Sequence, residues 1–500
     1  MVIILNIVKA IVEACRGSWE KNVIAYRRRA WNYRELFAES ERIAAHLQGL
    51  KVEKGEHVAL YFNNDPNFVF ASIGALLNGN AVVPIAYTAS RNELNGILTY
   101  CDVKICISNV PRPSDIDPNV MWVAMADLDS NIVLSESDLE REQRILSSIS
   151  AAQDDIAFLM PTSGTTGKSK VVMLSHDNIV TNALAHGNRL VLGESDNFCV
   201  TMPMHFSSTI TTQMIAGMLF RAELSIMSLP LVPKVFLAHL KEKRSNCFSA
   251  VPTILRQLFQ EMEKLEAHEA DLDHIDFVVV SGAPVPAELF EESKRVFRNA
   301  EIVQTYGLTE ASPRVSMMGR GDTKYSCGKP VDGVIVKVTD VQDSTYSGRR
   351  IGEILVKGPN VMRGYYKDEE TTGATIIDNW LYTGDLGYID EDGCLTVTGR
   401  KKNMIIVGGA NVYPEEVEEM LAHFEEIKES IVLGESDALM GEVPIAYLTL
   451  RKGMNIDVEE LRRRCLKRLS AYKVPKKWYI MDELPKTSTG KLARFTLSQN

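Results

Sequence analysis

Residues 161–170 read PTSGTTGKSK, and the Gly167-Lys168-Ser169 triplet near its end decides the fold. Such a triplet closes the phosphate loop of P-loop hydrolases, which carry another glycine five residues before the first of the three. That position is Thr162 here, and the nearest glycine, Gly164, stands only three residues before Gly167. A P-loop also opens a helix. Here the loop is bounded by IAFLM, residues 156–160, on one side and KVVMLSH, residues 170–176, on the other. Both runs are apolar and short, so two strands are expected to flank a loop rich in Gly, Ser and Thr. Glycines let backbone approach a ligand. The backbone N–H groups, the hydroxyls of Thr162, Ser163, Thr165 and Thr166, and the ammonium groups of Lys168 and Lys170 offer donors to phosphate. A plain hairpin turn explains the same composition equally well.

Around this loop lie 500 residues, enough for two to four domains at roughly 150 residues each. The chain is 45% hydrophobic and 24% charged, ordinary for a soluble globular enzyme. Its net charge of −10 argues against nucleic-acid binding. No apolar run is long enough to span a membrane. The opening MVIILNIVKAIVEAC has no charged leading segment, and Lys9 and Glu13 interrupt it. Leu5, Val8, Ile11, Val12 and Cys15 fall at helical spacing, so an amphipathic helix is expected rather than a signal peptide, and a cytoplasmic protein. Eight cysteines stand singly, with no C-x-x-C pair; buried reduced thiols are expected, not disulfides or zinc.

Organisation follows from periodicity. RELFAESERIAAHLQGL has a helical face, EHVALYF reads as a strand, and FVFASIGALLNGNAVVPI as helix then strand. IDFVVVSGAPVPAELFEESKRVF gives strand, turn and helix. Strands alternating with helices imply an α/β fold with a mainly parallel sheet covered on both faces. From about residue 346 to 392 short strands with glycine turns suggest a β-rich part, and a boundary is expected near GRKKN, residues 399–403. About one hundred residues beyond it have their own αβ pattern and suggest a smaller second domain.

Four further segments stand out: QTYGLTEAS (304–312), YTGDLG (382–387), GRKKNMIIVGGANVYPEEVE (399–418) and PKTSTGKLAR (485–494). Within them, Tyr306 next to Gly307 could stack on a base. Glu310 is a hard carboxylate suited to Mg²⁺, or a helix N-terminal acid. Asp385 could accept from paired hydroxyls, or serve as an Asx-turn residue. Elsewhere, Gly282, Ala283 and Pro284 directly follow a strand, where small residues permit close ligand approach.

With residues 162–170, these segments occur in the order and at about the spacing of the adenylate-forming superfamily, which the chain resembles over nearly its whole length. That superfamily comprises acyl-CoA synthetases, peptide-synthetase adenylation domains and firefly luciferase. The resemblance implies a large N-terminal domain of layered αβαβ sheets over 1–399, with a β-rich subdomain at about 325–398. It also implies a hinge at 400–402 and a mobile α+β cap over 403–500. It implies ATP, Mg²⁺ and coenzyme A, and two half-reactions: a carboxylate attacks the α-phosphate of ATP, then a thiol attacks the acyl-adenylate. Residues 162–170 would hold the β- and γ-phosphates, with Thr165 and Glu310 serving Mg²⁺ and Thr309 beside them. Gln304, Thr305, Tyr306 and Gly307 would bind the nucleotide, and Gly282 to Pro284 would border the adenine and the acyl pocket. Asp385 and Arg400 would meet the nucleotide, Lys402 would lie in the hinge, and Gly408 and Gly409 would line the thiol's route. A two-residue β-turn is the other reading of those glycines. Lys491 would place a cation between the two anions of the first step.

Residues 201–219 correspond to the region lining the acyl pocket, with Met204, His205, Phe206, Ser207, Ser208 and Met214 as candidates. No acidic residue occurs there to pair with an α-ammonium, which disfavours amino acids. Many acyl-CoA and aryl-CoA ligases carry His three residues after the proline; here Phe206 stands there, with His205 one place earlier. Ser169-Lys170-Val171 likewise replaces the common Pro-Lys-Gly. The expected substrate is a fatty or aromatic carboxylic acid. The acceptor is CoA or, alternatively, a phosphopantetheinyl carrier protein. A nucleotide-binding regulator without ligase activity is a third reading, against which Thr166, Glu310, Asp385, Arg400 and Lys491 all stand.

Overall fold

The computed structural model describes residues 5–128, 136–162, 170–265, 272–283, 285–339, 345–346, 349–486 and 492–497. Ser163, Gly164, Thr165, Thr166, Gly167, Lys168, Pro284 and Lys491 lie outside the described residues. The chain forms two compact units, one of residues 1–335 and 357–381, the other of residues 336–356 and 382–500.

In the first unit the alternating pattern builds two large sheets. A seven-stranded sheet runs Gly364–Tyr365, Lys170–Ser175, Ile156–Thr162, Ala81–Ala86, His57–Phe62, Val103–Ser108, Met121–Ala124. Its last five strands are parallel. A nine-stranded sheet has six parallel strands, from Glu301–Gly307 through Phe277–Val280, Cys247–Ala250, Asn197–Val200 and Glu223–Ile226 to Asn22–Tyr26. Antiparallel strands close both edges, among them Arg314–Met317 beside Glu301–Gly307. FVVV and CFSA are buried at every position, as parallel strands covered on both faces require.

The expected helices are present with identifiable caps. Ile7–Cys15 is capped by Asn6, and Tyr33–Gly49 by an Asn32–Glu35 capping box. Pro66–Leu77 is apolar all round and buried along its length. A Cβ on Gly74 would stand 2.6 Å from Ser40 O, so glycine lets this helix lie against Tyr33–Gly49.

In the second unit, residues 352–356, 382–389 and Leu395–Arg400 belong to one small sheet. A second sheet runs Ala410–Val412, Ile405–Val407, Gly441–Leu450, Ile427–Asp437, with Lys477–Ile480 also on Gly441–Leu450. The helices Pro414–Ala422 and Val458–Leu466 bring Val417, Leu421 and Leu461 onto a core with Ile405, Val432 and Leu448. Tyr413 packs with Ile351 and Leu386, tying the β-rich segment to this αβ layer within the one unit. Residues 399–403, where a boundary is expected, belong to the second unit. All eight cysteines are buried, and none is in a disulfide. Among the described residues, no helix is long and apolar enough to cross a membrane.

Candidate active site

Ile156–Thr162 and Lys170–Ser175 pair antiparallel, with Thr162 opposite Lys170, and the Thr162 hydroxyl donates to Lys170 O at 3.1 Å. The two strands thus pair as a hairpin, and the second is a strand where a P-loop would open a helix. Gly364–Tyr365 adds to the same edge, with Tyr365 opposite Val172. The Lys170 ammonium lies 4.7 Å from the centre of the Tyr365 ring. The Tyr365 hydroxyl donates to Glu310 Oε1 at 3.0 Å, and Met362 N donates to Glu310 O at 2.9 Å. Burial first, then the Glu310 charge, push the phenol's pKa up, so Tyr365 remains a donor. Two motifs some 140 residues apart thus meet on one tyrosine.

Glu301–Gly307 carries Gln304, Thr305 and Tyr306 into buried positions. At Gly307 a Cβ would lie 2.1 Å from Pro313 O, so only glycine lets the chain turn back here. Leu308 N donates to Pro313 O at 3.0 Å, and the turn between them holds Thr309 and Glu310. The Thr309 and Ser207 hydroxyls are 3.2 Å apart. Asn360 fixes the turn from a third segment. Its side-chain amide donates to Ala311 O at 3.0 Å and Arg314 O at 3.2 Å, and its main-chain carbonyl accepts from Ser312 Oγ at 2.7 Å. Gly282, at φ +82°, follows the neighbouring strand with Ala283 next to it.

Asn64 holds the segment before Ser207, donating to Met202 O and accepting from Met204 N, both at 2.9 Å. His205 stands edge-on to Phe206 with ring centres 4.5 Å apart, and burial lowers its pKa to about 4, so it is neutral at pH 7. Ser208 leads into a π-helical turn, Thr209–Ile215, in which Met214 is fully buried.

In the second unit Asp385 faces Arg400 across a strand pair, and Arg400 Nε lies 2.7 Å from Asp385 Oδ1. Asp385 N donates to Thr383 Oγ1 at 3.0 Å. The neighbouring Lys401 pairs with Glu353 at 2.8 Å. Burial, then the charge of Arg400, lower the Lys402 pKa. Gly408 and Gly409 join Ile405–Val407 to Ala410–Val412 with φ values of +56° and +86°, a two-residue hairpin turn that both glycines serve. The flanks of the segment holding Lys491 are tied together: Lys486 bridges Leu492, and Ala493 N donates to Pro485 O at 2.8 Å. Arg494 Nη1 reaches Glu418 Oε1 at 2.6 Å.

Tyr365, Asn64, Asn360 and Arg314 are residues that sequence reading passed over. The first three act on backbone or side chains remote in sequence, and no local spacing marks them. Arg314 does carry a signal, a cation two residues past the QTYGLTEAS motif.

The family described as AMP-binding enzyme matches residues 12–366, and the AMP-binding enzyme C-terminal domain matches residues 416–491. The long-chain-fatty-acid–CoA ligase of Bacillus subtilis (strain 168) is 30% identical over 95% of this chain and 91% of its own. The 2-succinylbenzoate–CoA ligase of Bacillus velezensis is 30% identical over 98% and 97%. Among solved structures, o-succinylbenzoate CoA synthetase from Bacillus subtilis, in complex with the acyl-adenylate intermediate OSB-AMP, superposes with a TM-score of 0.81. It is 28% identical and covers 98% of this chain and 97% of that one.

Proposed function

Because the chain belongs to the AMP-binding enzyme family, we propose that it is an acid–thiol ligase acting through an acyl-adenylate. A carboxylate displaces pyrophosphate from the α-phosphate of ATP. A thiol, that of coenzyme A, then displaces AMP. The observation that carries this reading is the meeting of Lys170 and Glu310 on Tyr365, which sets a cation from the phosphate-type hairpin beside a carboxylate from the QTYGLTEAS turn.

In this reading Thr162 and Lys170, with residues 163–168 of the loop, hold the phosphates. Tyr306, Gly282 and Ala283 border the adenine. Asp385 accepts from the ribose hydroxyls, with Arg400 beside it. Glu310 suits Mg²⁺: its carboxylate is hard, and Tyr365 orients one oxygen. Mg²⁺ would take hard oxygen donors there, Glu310 among them. When bound, Mg²⁺ supplies charge neutralisation at the phosphates. Lys491 offsets the repulsion between the two anions of the first step. Thr309, held near Ser207, positions the turn. The 400–402 segment, with Lys402, is the proposed hinge between an N-terminal body and a C-terminal cap, and Gly408 and Gly409 lie on the thiol's route as well as in their turn. Catalysis is then mainly positioning and charge stabilisation. A cytoplasmic location, where ATP and CoA are available, accompanies this reading.

The test is pyrophosphate release from Mg-ATP across fatty, aromatic and amino acids, with Lys491→Ala as control. Release that depends on acid and falls about 100-fold or more in the variant supports adenylation. Phosphate release instead of pyrophosphate would refute it. Adding CoA or a carrier protein then identifies the acceptor.

A further inference from the structure

Arg314 is an arginine where a core strand calls for an apolar residue. It is 2% exposed, its Nε has no partner, and no carboxylate pairs with it among the described residues. A guanidinium taken from water without a counter-charge costs several kcal/mol. That cost is accepted at a place built with care. Along Glu301–Gly307 and Arg314–Met317 the pairing runs Thr305 to Met317 and Tyr306 to Ser316, then shifts so that Gly307 faces Arg314 instead of Val315. Such a shift turns a side chain to the other face. Arg314 Nη1 consequently donates to Thr305 Oγ1, on the face that Thr305 shares with Gly307.

The backbone of Arg314 is held from two directions. Its N donates to Asn182 Oδ1 at 2.9 Å, its O accepts from Asn182 Nδ2 at 2.8 Å, and Asn360 adds a third bond. His186 lies one helical turn beyond Asn182 on His176–Leu190, hence on the same face. It is 1% exposed, and both its ring nitrogens lack partners among the described residues. Burial first, then the charge of Arg314, hold it neutral, so it keeps one N–H to donate. Buried oxygens of Thr209 and Gln213 are also without partners among the described residues, and their π-helical turn packs on the same helix. Arg314, held on Thr305, and His186, whose neutral imidazole feels its charge, thus meet at the His176–Leu190 helix, on which a turn of residues 201–219, the region corresponding to the acyl pocket, also packs with its unsatisfied polar atoms. A guanidinium offers a planar fork of donors that matches a carboxylate.

We propose that Arg314, with His186 beside it, receives a second carboxylate of the acid substrate, so that the preferred acid is dicarboxylic, activated at the end away from Arg314. The inference rests on the ligase reading above and adds to it the substrate class. It narrows the fatty or aromatic acid expected from residues 201–219 to one that carries a second carboxylate.

Matched acids test it: hexanoate against adipate, and 3-phenylpropanoate against its ring-carboxylated analogue, read as kcat/KM for pyrophosphate release. The wild-type enzyme is expected to favour the dicarboxylate of a pair by about 100-fold or more, because a site built for a polar group rejects the analogue lacking it. Arg314→Met should bring that ratio to about one, and Arg314→Lys should restore part of it. Wild-type preference for the monoacids, or an equal loss on both members of each pair in Arg314→Met, would overturn the inference and leave adenylation standing. The wild-type ratios decide the question even where a variant does not fold. Absence of pyrophosphate release with every acid would overturn the ligase reading and the inference together.

Discussion

The two units place their candidate residues by different means. In the first, Glu310, Thr309 and Arg314 are held by side chains from far along the chain: Tyr365, Ser207, Asn182 and Asn360. In the second, Asp385 meets Arg400 as its neighbour in a strand pair, and Gly408 and Gly409 are fixed by the hairpin they close. A site assembled from remote clamps is sensitive to single side chains outside its motifs. A site made by local pairing is sensitive mainly to its own residues.

Substitutions can break this contrast. Glu310→Gln keeps the hydrogen bond from Tyr365 in shape but removes the charge, and is expected to lower acid-dependent pyrophosphate release about 100-fold with little change in melting temperature. A loss below about threefold would mean that Glu310 is a structural acid. Acidification probes the clamps differently. His176 Nδ1 accepts from Ile7 N at 3.3 Å, and burial lowers its pKa from 6.5 to about 4. Between those values the unfolded chain binds the proton and the folded one does not. Stability is therefore complete above pH 6.5 and falls toward pH 4, by on the order of 3 kcal/mol for this group. His186 and His205 shift in the same direction. Urea titrations at pH 4.5 and 7 should show this slope, reduced in His176→Asn; an unchanged slope would show that His176 does not contribute.

Asn360→Ala removes two bonds to backbone carbonyls of the Glu310 turn and should cost about 2 kcal/mol, with an accompanying rise in KM for ATP. An unaltered denaturation midpoint would dissolve the contrast between the units. Gly408→Ala places a side chain at φ +56° in the second unit. It is expected to cost about 1 kcal/mol by thermal denaturation, without altering pyrophosphate release in the first half-reaction.

Much of this was legible in the chain. The segments read as strand or helix form as read, as with EHVALYF and His57–Phe62, because a short continuous apolar run suits a strand buried on both faces. The flanks of residues 163–169 are strands, as their composition implies, since β-branched KVVMLS suits a pleat better than a helical turn. The packing within the second unit was not legible: Tyr413 joins Ile351 and Leu386 in one core, and its reach to Ile351, more than sixty positions away, is announced by no local pattern. Tyr365 was missed for the same reason, as its worth lies in what Lys170 and Glu310 do on either side of it.

The sequence by itself excluded a P-loop, because its glycine spacing cannot form one, and it supplied the residue types that phosphate, ribose and carboxylate chemistry require. Tertiary structure alone decided which of these residues meet. The one-residue shift that aims Arg314 at Thr305, and the asparagines that hold it there, depend on segments from 182 to 360 packing together. Spacing along a chain determines local conformation; which buried charge faces which partner is settled only when remote segments close around it.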